Sequence, residues 1–169
     1  GIIRRECADL PNHADGGSSA SVSRIQKIAA AALDRIQNEL FDLGAELACS
    51  PKDLPEYMEL ISEQQCDSLT DEMDAWIEHL EPLTSFILPS GTGPEPIIHH
   101  ARCVTRRLER TLISIQDDAG DDAVRPEARI YVNRLSDWFF VLARWVTKNL
   151  GESETLWTPL AKRQNSTNV

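Results

Sequence analysis

Val22, Ile25, Ala29, Ala32, Ile36, Leu40, Leu43 and Leu47 recur every three or four positions. At the rise of an α-helix this predicts one helix from about Ser21 to Ala48, carrying an apolar stripe about 40 Å long. A helix of that length with one apolar side is not stable alone in water and must lie against others. Ser21 or Ser23 can cap its start, and Cys49-Ser50-Pro51 ends it. The stripe therefore commits the chain to an all-α, up-down helical bundle.

The partners are legible further on. Leu69, Met73, Trp76, Ile77 and Leu80 predict a shorter helix over about Ser68 to Glu81, with Asp71, Glu72 and Asp74 suiting its N-terminal end. Another is predicted from about Glu95 to Gln116, and the last long one from about Arg125 to Leu150, opening near Pro126. That last helix has one stripe of Ala128, Val132, Leu135, Phe139, Leu142 and Val146. A second flank holds Ile130, Trp138, Val141 and Trp145, so this helix should lie centrally. Asn133, Asp137 and Arg144 form a narrow polar strip on it, either a site or an internal hydrogen-bond network.

Four helices are thus clear within residues 22–150, the expected bundle domain. Residues 1–21 read as a flexible or atypical N-terminal segment. Its first ten residues form a short helix or strand, His13 sits in a loop, and Asp15 to Ala20 are flexible. Residues 50–68 read as a long loop with one helical turn at Tyr57 to Ile61, and 151–169 as a loosely ordered tail.

Charge excludes several functions. The chain is net −10, which argues against a nucleic-acid partner. No apolar run is long enough for a membrane span. Cys7, Cys49, Cys66 and Cys103 lack zinc spacing and read as reduced thiols. His99 and His100 are adjacent and do not share a helix face, which argues against a metal pair, and DDAGDDA (117–123) lacks the spacing of a calcium loop.

Against that acidity, HHARCVTRRLER (99–110) stands out. Its nine-residue window Arg102–Arg110 is net +3, so the rest of the chain is net −13. On a helical wheel Ile97, Ala101, Val104, Leu108, Leu112 and Ile115 share a predicted core-facing arc. Arg102, Arg106, Glu109 and Arg110 take the far side, and Arg107 lies between. Guanidinium forks bind phosphate or carboxylate with two parallel hydrogen bonds, so several on one face suit a polyphosphate. An ordinary solvated face with an Arg106–Glu109 pair is the alternative. The loop Ser90-Gly91-Thr92-Gly93 before this helix either presents backbone N–H groups to an anion or simply connects two helices, with Phe86 packed in the core.

RIQNELFDLGAELA (35–48), SFILPSGT (85–92) with HHARCVTRRLER, and YVNRLSDWFFVLARW (131–145) together resemble ATP:cob(I)alamin adenosyltransferases of the propanediol-utilisation type. The likeness runs from about residue 33 to 147. It implies a five-helix, ferritin-like bundle forming a homotrimer with active sites at subunit contacts. It also implies transfer of the 5′-deoxyadenosyl group of ATP to cob(I)alamin with magnesium. By that resemblance Arg106, Arg107, Glu109, Arg110 and Asn133 contact ATP. Arg102 pairs with an aspartate near the subunit contact, and Phe86 blocks the lower face of the corrinoid. Arg106 and Phe86 are then the catalytic candidates, with no protein metal ligand. A cobalamin reductase and a B12-dependent mutase are the implied partners, in a bacterial cytoplasm or a mitochondrial matrix.

The pattern also departs from the family. The T-G-D-x-G-x-T loop, the V-D-E-L-N element and the aspartate for Arg102 are absent, and Pro94-Glu95-Pro96 replaces small residues. The chain opens at Gly1 rather than Met, which leaves open a segment ahead of it. The competing reading is a non-catalytic corrinoid-binding or carrier protein that lacks the phosphate loop.

Overall fold

The computed structural model describes residues 1–10 and 19–164. Four long helices make the bundle: α2 (Ser19–Leu47), α3 (Glu63–Ile77), α4 (Glu95–Ala119) and α5 (Pro126–Asn149). A short α1 (Ile2–Ala8) precedes them and α6 (Leu160–Gln164) follows. The predicted all-α bundle is the fold. His13 and residues 15–18 lie outside the described residues, while Ser19 and Ala20 open α2.

α5 is the central helix, packing against α2, α3 and α4. Its Val132, Leu135, Trp138, Leu142 and Val146 are buried, and Trp76 of α3 lies between Trp138 and Trp145 at ring separations of 5.3 and 5.4 Å. Tight aromatic packing of this kind adds to plain area burial. α1 lies on α2, held by Gln26 Nε2 donating to the carbonyls of Ala8 and Leu10, both at 3.2 Å.

The α2 stripe is nearly as predicted, with one exchange. Leu40 is turned outward, while Glu39 and Glu46 are buried. Each acid has partners that offset its desolvation. Glu39 accepts from Arg35 at 2.8 Å and from the Tyr131 hydroxyl at 2.7 Å. Arg35 also donates to Glu72 at 2.8 Å, and Trp138 Nε1 donates to the same Glu72 oxygen at 2.7 Å. One polar network thus ties α2, α3 and α5. Burial and the neighbouring Glu39 carboxylate push the Tyr131 phenol well above its ordinary value.

α3 starts at Glu63 rather than near Ser68. Ser62 and Gln65 form a capping box, and the Ser62 N–H donates to Gln65 Oε1 at 3.0 Å. The helical turn expected at Tyr57–Ile61 is absent. The Ile61 N–H goes to Glu46 Oε2 at 3.1 Å and its carbonyl accepts from Arg125 at 3.2 Å, so side chains take the groups a helix would have used.

The segment expected as a loosely ordered tail folds back on the bundle. Gly151, with φ 73°, stops α5 and reverses the chain. Strand β2 (Thr155–Leu156) then pairs antiparallel with β1 (Ile87–Leu88), Ile87 opposite Leu156. The Trp157 N–H donates to the Phe86 carbonyl at 2.7 Å. All four cysteines are free. No helix among the described residues is long and apolar enough to cross a membrane.

Candidate active site

α4 begins where proline fits best, in a first turn whose N–H groups have no helical partner. Its buried side differs from the predicted arc by roughly a quarter turn. Ile98, Thr105, Glu109 and Leu112 face inward, while Val104 and Ile115 are 41% and 40% exposed. Ile97, Ala101 and Leu108 pack at the edge of the core. Glu109, placed with the arginines on the far side, is therefore a buried carboxylate.

That rotation is stabilised by two partners. Asn133 Nδ2 of α5 donates to Glu109 Oε1 at 2.9 Å, and Arg106 donates to Glu109 Oε2. The structure thus brings together Arg106, Glu109 and Asn133, three of the predicted site residues. Glu109 holds one edge of the Arg106 guanidinium and leaves the rest facing out. Arg107 and Arg110 are exposed and make no ion pair among the described residues. The cationic face is therefore only partly neutralised.

The predicted polar strip on α5 divides. Asn133 turns to Glu109. Arg144 is paired with Glu154 at 2.5 Å and donates to the Glu81 carbonyl at 2.7 Å, and Asp137 is exposed.

Phe86 does not pack in the core. It is 77% exposed and meets Trp157 edge-on, with ring centroids 5.9 Å apart. Together with Leu83, Ile87, Arg102, Phe140 and Trp157 it lines an open, largely apolar cavity of ≈ 630 Å³. A cavity of that size is in the range that takes a small-molecule ligand, and Phe86 and Trp157 form its aromatic wall. Arg102 is the link to the cationic face, one turn before Arg106 on the same helix. Its Nε is buried without a hydrogen-bond partner, and its guanidinium sits 5.8 Å from the Phe140 ring centroid.

A second set of groups backs this cavity. His99 is 2% exposed and neither ring nitrogen has a hydrogen bond. Its Nε2 lies 2.9 Å from Glu95 Oε1, out of line with the carboxylate. Burial first, then the Arg102 charge, keeps this imidazole neutral by lowering its pKa. Glu95 is also buried, and burial together with Glu152 and Glu154 pushes its carboxyl up to about 6. The sequence reading missed Glu95, His99 as a buried group, and Trp157. The only trace of Glu95 was its place between two prolines, and the apolar pair Leu156-Trp157 was the only sign that the tail docks.

Comparison with known proteins gives a consistent picture. The model of the cobalamin adenosyltransferase family matches residues 15–146. A cobalamin adenosyltransferase of Cupriavidus metallidurans is 40% identical over 131 residues, covering 75% of this chain and 64% of the relative. The chain thus spans just under two thirds of that relative's length. A corrinoid adenosyltransferase of Mycobacterium leprae is 37% identical over 156 residues, 89% of this chain and 78% of the relative. Among solved structures, a variant of the PduO-type ATP:corrinoid adenosyltransferase from Lactobacillus reuteri, complexed with cobalamin and ATP, is similar at TM-score 0.74 and 25% identity. That likeness covers 94% of this chain and 80% of the other.

Proposed function

The chain belongs to the cobalamin adenosyltransferase family, and on that premise we propose that it transfers the 5′-deoxyadenosyl group of ATP to cob(I)alamin, releasing triphosphate. One observation carries the proposal. A cationic helix face with free guanidinium groups and an aromatic-walled cavity of ≈ 630 Å³ meet at Arg102. Nucleotide phosphates and a corrin ring are the pair of ligands that such a junction suits.

In the reaction the electron pair of Co(I) attacks C5′ of ATP and becomes the Co–C5′ bond, while the C5′–O bond breaks and triphosphate leaves with the electrons of that C5′–O bond. Co(I) is a strong nucleophile as it stands, so no protein base is required. The chain's tasks are positioning and stabilising the negative charge of the leaving group. Arg106, Arg107 and Arg110 would hold the phosphates. Glu109, fixed by Asn133, would aim Arg106. Phe86, braced by Trp157, would close the lower face of the corrinoid against water and favour four-coordinate cobalt.

Magnesium finds no protein cage, since no three His, Cys, Asp or Glu among the described residues are placed to hold a metal. The ion would arrive on the phosphates, as its chemistry allows, and no step here runs through it. The exposed apolar residues Val104, Ile113 and Ile115 of α4 and Ile130 of α5 are surface that self-association as a homotrimer would cover. A reductase would supply Co(I), and a B12-dependent mutase would receive the product, in a bacterial cytoplasm or a mitochondrial matrix.

Calorimetry tests the reading directly. ATP should bind the wild-type protein and bind Arg106→Ala more weakly, with helicity unchanged. Retained cobalamin binding without any ATP binding to the wild type would overturn it.

A further inference from the structure

We propose that Glu95 is a positioning residue for Phe86, and that its carboxylate makes closure of the C-terminal strap (residues 152–157) over the Phe86 loop depend on uptake of a proton. The role of Phe86 rests on the function proposed above. The strap and its proton do not, and they are measured without nucleotide or corrinoid.

The geometry comes first. Glu95 Oε2 accepts the Ser90 N–H at 2.8 Å, so the first turn of α4 holds the end of the loop that carries Phe86. From the other side the strap holds the same loop. Glu152 accepts the Thr92 N–H at 3.3 Å and the Thr92 hydroxyl, and Ser90 Oγ donates to Thr155 Oγ1 at 2.6 Å. Beyond these, the Trp157 N–H reaches the Phe86 carbonyl and the Ser85 hydroxyl donates to the Trp157 carbonyl at 3.1 Å. Gly91 sits where the two acids converge. A Cβ there would lie 3.0 Å from Glu152 Oε2 and 3.3 Å from Glu95 Oε2, and φ 122° already favours glycine. Closing the strap therefore presses Glu152 toward Glu95 across a single glycine.

The charges decide the direction. Glu95 faces Glu152 and Glu154 from the strap, Arg144 and Thr147 from α5, and His99 from its own helix, with Arg102 one step further on acting on His99. Ser90, Glu95, His99, Arg144, Thr147 and Glu154 line one small polar cavity. Arg144 is committed to Glu154. Burial and the Arg102 charge lower the His99 pKa and so disfavour a counter-charge there. An ionised Glu95 is thus buried against Glu152 with no cation of its own. Protonated, Glu95 carries no charge that needs a counter-ion, and its Oε2 still accepts the Ser90 N–H. In the closed strap the Glu95 carboxyl is pushed up to about 6, and opening to water would return it toward its ordinary 4.5. The closed form binds the proton more tightly, so closure strengthens as pH falls through 6 and weakens as pH rises. Those two values correspond to roughly an eightfold drop in the closed-to-open ratio from pH 5 to pH 7.5.

Amide hydrogen exchange on the full chain reads this ratio at Thr92 and Trp157, whose N–H groups bond between strap and loop. After correction for intrinsic rates, their protection should fall roughly eightfold from pH 5 to pH 7.5. Leu142, in the middle of α5, should not change. Glu95→Gln keeps an acceptor for Ser90 and removes the charge, so the Thr92 and Trp157 amides should stay protected and flat across the range. Glu95→Ala should lose protection at both pH values. Flat wild-type protection would overturn the proposal, and so would a Glu95→Gln protein that keeps the wild-type pH dependence. With the strap established, the pH profile of adenosylation in Glu95→Gln separately tests whether closure positions Phe86.

Discussion

Two polar clusters lie within this bundle, and they are built to opposite standards. In the network of Arg35, Glu39, Glu72, Tyr131 and Trp138, each of these groups is bonded to another member at 2.7 or 2.8 Å. Arg102 Nε in the lining of the Phe86 cavity and both His99 nitrogens behind it are buried without partners, and Glu95, also behind it, is an acid beside acids. Burying polar atoms unpaired costs about 1–3 kcal/mol each. A fold that satisfies one cluster completely shows that its interior permits good pairing. The unsatisfied cluster is therefore a cost accepted at the place where ligands are proposed to bind.

The contrast can be broken from either side, and the largest effect should come from the satisfied network. Glu72→Ala strips Arg35 and Trp138 of an acceptor at once and should lower stability by about 2–3 kcal/mol, read as a fall in urea midpoint. Arg106→Ala should leave that midpoint almost unchanged and weaken ATP binding about 10- to 100-fold, the loss expected for a charge-assisted contact. If its midpoint fell as far as that of Glu72→Ala, Arg106 would belong to the scaffold.

Glu95→Gln sharpens the comparison with the opposite sign. The folded carboxyl sits near 6, above its ordinary 4.5, so the native state holds the extra proton and stability falls as pH rises from about 4.5 to 6. The glutamine variant should lack that slope and gain about 1–2 kcal/mol at pH 7.5. Equal urea midpoints for wild type and variant at pH 7.5 would show that Glu95 is not a strained acid. Smallest in stability is Phe86→Ala, within about 0.5 kcal/mol because the ring is exposed. Yet it should slow adenosylation of cob(II)alamin under reducing conditions while ATP affinity holds.

How much of this was legible in the sequence follows the same divide. Helix existence and the central place of α5 came directly from apolar spacing, since burial of a stripe is what that spacing encodes. The face of α4 did not. Counting Val104 and Ile115 as core ignored that Glu109 could be buried once Asn133 and Arg106 bonded it, and no residue-by-residue scale contains that pairing. The early start of α3 was written in the capping residues Ser62 and Gln65. The arginines and Phe86 were visible as a motif and by resemblance. Two of the partners that shape the Phe86 loop, Glu152 and Trp157, make contacts across 60 or more residues of chain, which periodicity cannot report.

Gly151 bears on that long-range contact. Only Glu152 to Glu154 separate this left-handed turn from β2, so the phase of the strand is inherited from the last turn of α5. Adding one residue after Gly151 would shift the pairing of Ile87 with Leu156 by one step, and alternate side chains would exchange faces. Trp157 would then point away from Phe86, leaving the aromatic wall undone by an insertion that touches neither ring.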